Sequence, residues 1–353
     1  MDAEATTAEA AAVAERYARF ARDEAPGRSD LYTAWAARVA ADPAVQAVLA
    51  RVPATRRQPP LVFAVTRLLG VGDVDADAWA RWIVAHADEV TAECARRSLQ
   101  TNEPLRCAAL LPALSRIPGP IALLEIGASA GLCLYPDRYS YRYYRYACEG
   151  TGSAALALDP VDGPSPVVLA CEVRGGGPGS GSGSGSLSLP GPVPGSVPAS
   201  LSEIVWRAGI DLAPLDPRAP DTEAWLTGLV WPGETGRAGR VREALRIAAS
   251  DPPLLVAGDG AALLAEVAAQ APAGATLVVQ TPGVLAHVPW AGRRALIDAA
   301  RTAGRWITLD DPRLHDGWSA PIDPATWPGG FALALDGEVL AAADPLGGWV
   351  APL

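Results

Sequence analysis

The chain has 353 residues, of which 50% are hydrophobic and 19% charged. That composition excludes an unfolded chain and leaves room for two domains, or for one domain with a large extension. A formal net charge of −10 argues against non-specific nucleic-acid binding, because phosphates recruit clustered basic residues.

The opening stretch MDAEATTAEAAAVAERYARF is acidic and helix-like, without the charged-then-apolar order of a secretory signal. No run approaches the ~20 apolar residues of a membrane span. A cytoplasmic protein is expected, with neither nucleic acid nor membrane as partner.

Residues 4–118 read as helical. AEATTAEAAAVAERYARFARDEA stops at Pro26-Gly27, SDLYTAWAARVAADPAVQAVLARV follows a Ser29 cap, and VDADAWARWIVAHADEVTAECARRS repeats apolar residues at helical spacing. Residues 1–118 are therefore assigned to an N-terminal helical region, and 119–353 to an α/β domain.

After Ile117-Pro118-Gly119-Pro120 the pattern changes. IALLEIG is a short continuous apolar run closed by glycine, as in a buried parallel strand that enters a helix. Four more runs have that look: PVVLACEV at 166–173, PLLVAG at 253–258, TLVVQT at 276–281 and RWITLD at 305–310. The helical segments GAALLAEVAAQA and WAGRRALIDAARTAG lie between them. Alternation of this kind predicts a doubly wound, mostly parallel sheet. Asp336-Gly337 between two apolar runs predicts a closing C-terminal β-hairpin. The Gly/Ser/Pro-rich stretch at 174–200 cannot bury a core and reads as a flexible insertion.

Some chemistry is excluded by what is missing. All 29 basic residues are arginine, which removes Walker A phosphate binding and Schiff-base catalysis, since both need a lysine amine. The five cysteines form no C-x-x-C pair, and the three histidines, His86, His287 and His315, are scattered. Reduced thiols and no metal site are expected.

In a doubly wound sheet the ligand lies at the C-terminal ends of the strands, beside a glycine-rich first turn. Leu123-Leu124-Glu125-Ile126-Gly127-Ala128-Ser129-Ala130-Gly131-Leu132 stands at that place. Its Glu-x-Gly-x-x-x-Gly spacing lacks the third glycine of the dinucleotide fingerprint. It resembles the E/D-x-G-x-G/S/A-x-G loop of class I S-adenosylmethionine-dependent methyltransferases. That resemblance implies a Rossmann-like, methyltransferase-type domain with S-adenosylmethionine as cofactor, held at Glu125, Gly127, Ala128, Ser129 and Gly131.

The same resemblance implies further roles. Glu172 matches the acid that holds the ribose hydroxyls, Asp259 the acid beside the adenine amino group, and Gln280 the region where substrate and methyl group meet. From the residues alone, Glu172 also reads as a solvated strand end and Asp259 as a helix N-cap.

A second resemblance spans nearly the whole chain. RSLQTNEPLRCAALLPAL, LLEIGASAGLCLYPDRYSYRY, VVLACEVRG, LTGLVWPGE and VLAHVP are similar to an actinobacterial family known as domain of unknown function 2332. This singles out Gln100, Thr101, Asn102, Glu103 and Arg106, either as a helix cap or as a group over the cofactor turn. In the second case Asn102 belongs to the site, Glu103 is its general base, and Arg106 clamps an anionic substrate. His287 is a further acid or base, or a structural histidine.

The segment 137–146 is rich in tyrosine and arginine and suits strand packing, a partner protein or a homo-oligomer contact. The leading expectation is methyl transfer to a small molecule, in the setting of specialised biosynthesis. Two rivals are an enzyme of this fold that eliminates sulfate or phosphate or closes a ring, and a non-catalytic partner subunit.

Overall fold

The computed structural model describes residues 3–144, 154–174 and 200–353. The insertion expected at 174–200 lies outside the described residues except at its two ends, as do Arg145 and Tyr146 of the Tyr/Arg segment. No helix among the described residues is long and apolar enough to cross a membrane. The chain divides into two compact units, Met1–Thr101 with Ala219–Arg242, and Asn102–Arg218 with Glu243–Leu353.

The first unit is helical. α1 (Ala3–Arg19) runs into a π turn at Phe20–Glu24, followed by α2 (Asp30–Ala41), α3 (Pro43–Ala50), α4 (Pro59–Leu68), α5 (Ala76–Ala85) and α6 (Ala87–Arg96). Ser29 caps α2 as expected, its hydroxyl accepting from Tyr32 N at 3.2 Å. Asp42 caps α3 ahead of a first-turn proline. Tyr32, Trp35, Phe63 and Trp79 are fully buried together, with Trp35 stacked on Trp79 at 5.2 Å. Their buried indole donors are satisfied: Trp35 Nε1 donates to Val74 O, and Trp79 Nε1 to Thr66 Oγ1.

The second unit opens with α7 (Arg106–Leu114) and then β1 (Ile121–Ile126), β2 (Ser140–Tyr144), β3 (Ala154–Leu158), β4 (Val168–Val173) and β5 (Ile204–Asp211). The chain next enters the helical unit as α8 (Pro220–Gly228) and leaves it along α9 (Arg237–Ser250). It finishes with β6 (Leu254–Ala257), α10 (Gly260–Ala268), β7 (Thr276–Pro282), α11 (Trp290–Ala303), β8 (Arg305–Asp310), β9 (Phe331–Leu335), β10 (Glu338–Ala343) and β11 (Trp349–Pro352). β9 and β10 form the hairpin expected at Asp336-Gly337.

One 11-stranded sheet results, in the order β3-β2-β4-β11-β10-β9-β8-β7-β1-β5-β6. The run β6-β5-β1-β7-β8 is parallel throughout. Counted in chain order these five strands lie 3-2-1-4-5, the arrangement of a Rossmann-like sheet, with its direction reversing between β1 and β7. α10 and α11 cover one face, where Leu124, Ile126, Ile210, Val279, Ile297 and Trp306 share a buried cluster. α7 packs against β4, β8, β9 and β10.

The expectation that β1 enters a helix is corrected. After Gly131 the chain makes only a 3-10 turn, Leu132–Leu134. Pro136 follows within two residues of it and disfavours helical backbone at Tyr135. The chain then departs through β2, β3 and β4 before it returns as β5.

Candidate functional site

The turn after β1 is held from both sides. Gly127 N and Ala128 N donate to Ile210 O at 2.8 and 3.4 Å, Ser129 N to Asp211 Oδ2 at 2.8 Å, and Ala130 N to Asn102 Oδ1 at 3.2 Å. Gly131 N closes the turn on Ala128 O at 2.7 Å. Five consecutive amides are therefore satisfied within the protein. A ligand at this turn meets side chains and carbonyls rather than a nest of free N–H groups.

Three positions in the turn, Gly127, Ser129 and Gly131, have positive φ. Ser129 has φ 51°, a left-handed conformation that its amide and hydroxyl bonds sustain. Gly127 has φ 77°, and a Cβ there would lie 2.7 Å from Val284 Cγ2, so glycine is required on both counts.

Asp211, at the end of β5, was not found from the sequence. It occupies the place next to β1 that the sequence reading gave to Glu172. Its second oxygen, Oδ1, accepts from Ala213 N at 2.8 Å. One bond to each oxygen leaves the carboxylate with acceptor capacity on both.

Asn102 does not cap α7, whose N-cap is Leu105. It is 8% exposed and bridges to the turn, with Nδ2 donating to Ser129 Oγ at 2.7 Å. Glu103 is buried, and its Oε1 accepts from Leu105 N at 3.0 Å.

Arg106 reaches the end of β7. Its Nε donates to Pro345 O at 2.9 Å and its Nη1 to Pro282 O at 3.2 Å, while Nη2 faces Gly283. The cation is thus held by neutral carbonyl oxygens.

Glu125 and Gln280 sit side by side in the β1–β7 register and are both buried. Gln280 Nε2 donates to Cys133 O at 3.1 Å. Glu125 Oε2 and Gln280 Oε1 have no partner among the described residues. Burial, with Cys133 beside it, pushes the Glu125 carboxyl well above the ordinary range, against the Gln280 side chain and the pull of Arg106. The shift favours the protonated form, which donates as well as accepts.

Asp310, at the end of β8, is a second such group. It is fully buried, accepts from Thr308 Oγ1 at 2.9 Å, and leaves Oδ1 without a partner. Burial pushes it up to about 8, although Thr308, the Leu285 amide and Arg106 oppose the shift. Strand pairing alone could not reveal it, since RWITLD reads as a strand whatever the last residue does.

Other expected site residues lie outside this hydrogen-bonded group. Glu172 is on β4, with β11, β10, β9, β8 and β7 between it and β1, and pairs with Arg174 at 3.0 Å. Asp259 is exposed and N-caps α10, accepting from Ala262 N at 3.0 Å. It stands at the end of β6, the third strand of the parallel run. His287 is exposed on the 3-10 turn Leu285–His287 that follows β7.

Three tyrosines of the Tyr/Arg segment are core residues. Tyr139, Tyr141 and Tyr143 are fully buried, and their hydroxyls donate to Leu132 O, Pro136 O and Ala108 O at 2.7, 2.6 and 2.8 Å. Among the described residues no group of three or more His, Cys, Asp or Glu is placed to hold a metal ion.

Fold and site together define a Rossmann-like α/β protein whose polar groups gather at the C-terminal strand ends, on both sides of the β1/β7 reversal. The chain matches the family described as "Uncharacterized protein conserved in bacteria (DUF2332)" over residues 14–351 and belongs to it. No curated protein and no solved structure matches the chain.

Proposed function

We propose that the protein is an S-adenosylmethionine-dependent methyltransferase acting on a small molecule. The observation that carries this reading is Asp211: an acid at the end of the strand next to β1, hydrogen-bonded to the glycine turn through Ser129 N at 2.8 Å. A ribose diol is recognised by such a carboxylate. Asp259 at the end of the next strand, β6, offers a second acceptor for the amino edge of a base. The polar ends of β7 and β8 supply the other half of the crevice.

The residues present fit a nucleoside through side chains. They do not offer free turn amides or a helix N-terminus to an anionic group. The cofactor supplies, when bound, an electrophilic methyl group. The chain's own part is positioning, which is the larger share of the rate in such a transfer. Asn102 and Ser129 fix the turn, Arg106 orients an acidic group of the substrate over Gly283, and Glu125 and Asp310 are carboxyls whose burial favours the protonated form. His287, exposed just beyond β7, is the general base of this scheme.

Calorimetry with S-adenosylhomocysteine on the wild type and on Asp211→Asn tests the reading. Micromolar binding by the wild type is expected, weakened roughly tenfold in the variant, in line with loss of a charge-assisted hydrogen bond. Absence of heat with the wild type at millimolar ligand overturns it.

A further inference from the structure

A cavity of about 730 Å³ lies just beyond Asp310. Its wall is formed by 311–331 and Pro345, so it opens at the same end of the sheet as the crevice, beside β8, β9 and β10. Trp318, Trp327 and Phe331 line it. Both indole N–H groups are engaged elsewhere, Trp318 Nε1 donating to Pro312 O at 3.1 Å and Trp327 Nε1 to Gly330 O at 3.2 Å. What these residues have left to offer a ligand is their rings.

The rest of the wall is poor in donors. Pro312, Pro321, Pro324 and Pro345 line it and carry no backbone N–H. Its charged members are Asp311, Asp316 and Arg313, and Arg313 is paired with Asp311 at 2.7 Å. His315 adds no charge at neutral pH: burial pushes it down to about 4, its Nδ1 accepts from Gly317 N at 3.0 Å, and its proton therefore sits on Nε2, a donor without a partner among the described residues.

We infer that this cavity binds an organic cation, an ammonium group carried on an apolar or aromatic body. The ring faces attract such a charge, and the Asp311 and Asp316 carboxylates in the wall favour it further. Anions and ligands rich in acceptors find little to bond there. The site is defined without any cofactor, so its test is read in the absence of S-adenosylmethionine and its outcome is separate from that of the nucleoside crevice.

The probes are phenyltrimethylammonium and tert-butylbenzene, which share a shape and differ in charge. Calorimetry on the wild type should show the ammonium bound roughly tenfold more tightly than the hydrocarbon. Trp327→Ala should abolish most of that preference and Trp327→Phe retain part of it, and the half-buried position of Trp327 leaves the fold intact in both. Equal affinity for the two probes, an unchanged preference in Trp327→Ala, or no binding of either probe overturns the inference.

Discussion

Asp310 and His315 titrate in opposite senses, and their windows separate. The folded state keeps His315 neutral down to about 4, so stability contributed by that group is present above the unfolded value near 6.5 and is lost as the pH falls from there. Asp310 has its pKa raised to about 8. The folded state therefore holds a proton that the unfolded chain releases near 3.9, and stability declines as the pH rises toward 8. Between pH 6.5 and 8 the histidine is silent and the aspartic acid is not. The stability of Asp310→Asn relative to the wild type should thus rise by roughly 1–2 kcal/mol between pH 6.5 and pH 8. Urea unfolding at the two pH values measures it. An equal difference at both would show that Asp310 is not held as the acid.

At the level of elements, the strand ends and the glycine turn were unequally legible. β1, β7 and β8 stand out because buried parallel strands are written as unbroken apolar runs, and β4 and β6 carry runs of the same kind although they are only partly buried. β5 does not, because IVWRAGID carries an arginine and a glycine in its middle. The folded chain explains both. Arg207 is 8% exposed, donating to Leu134 O and Asp137 Oδ2 at 2.7 Å with its guanidinium over the Tyr135 ring. Gly209 leaves room for Ala128, whose Cβ would lie 2.4 Å from a Cβ at that position. With β5 hidden, Asp211 was hidden too, and the acid expected at the strand ends was sought at Glu172 on β4 instead. The turn itself was visible by its glycines, but the consumption of its amides depends on Asn102, Ile210 and Asp211, which only the fold brings near. Gly127→Ala tests how tightly that turn is set. Strain at positive φ and the contact with Val284 should together cost about 2–4 kcal/mol. Adding Val284→Ala should return the steric part alone, a coupling that a double-mutant cycle on thermal or urea unfolding resolves.

Across the molecule, composition and periodicity were enough to separate a helical part from an α/β part. They did not show that α7 packs with the sheet or that Ala219–Arg242 belongs with the helices, since both assignments rest on contacts between residues far apart in sequence. One end of the sheet has a consequence of its own. β6 is the terminal strand of the parallel run, and an outermost strand offers unpaired backbone to any passing chain. Here the invitation is short: four residues, introduced by Pro252-Pro253 and stopped by Gly258 at φ 149°. Restoring a donor with Pro252→Thr should raise light scattering during heating relative to the wild type, and unchanged scattering would mean that the proline guards nothing. The ladder thus ends by its own chemistry, and growth of the sheet into a fibre has no footing at that edge.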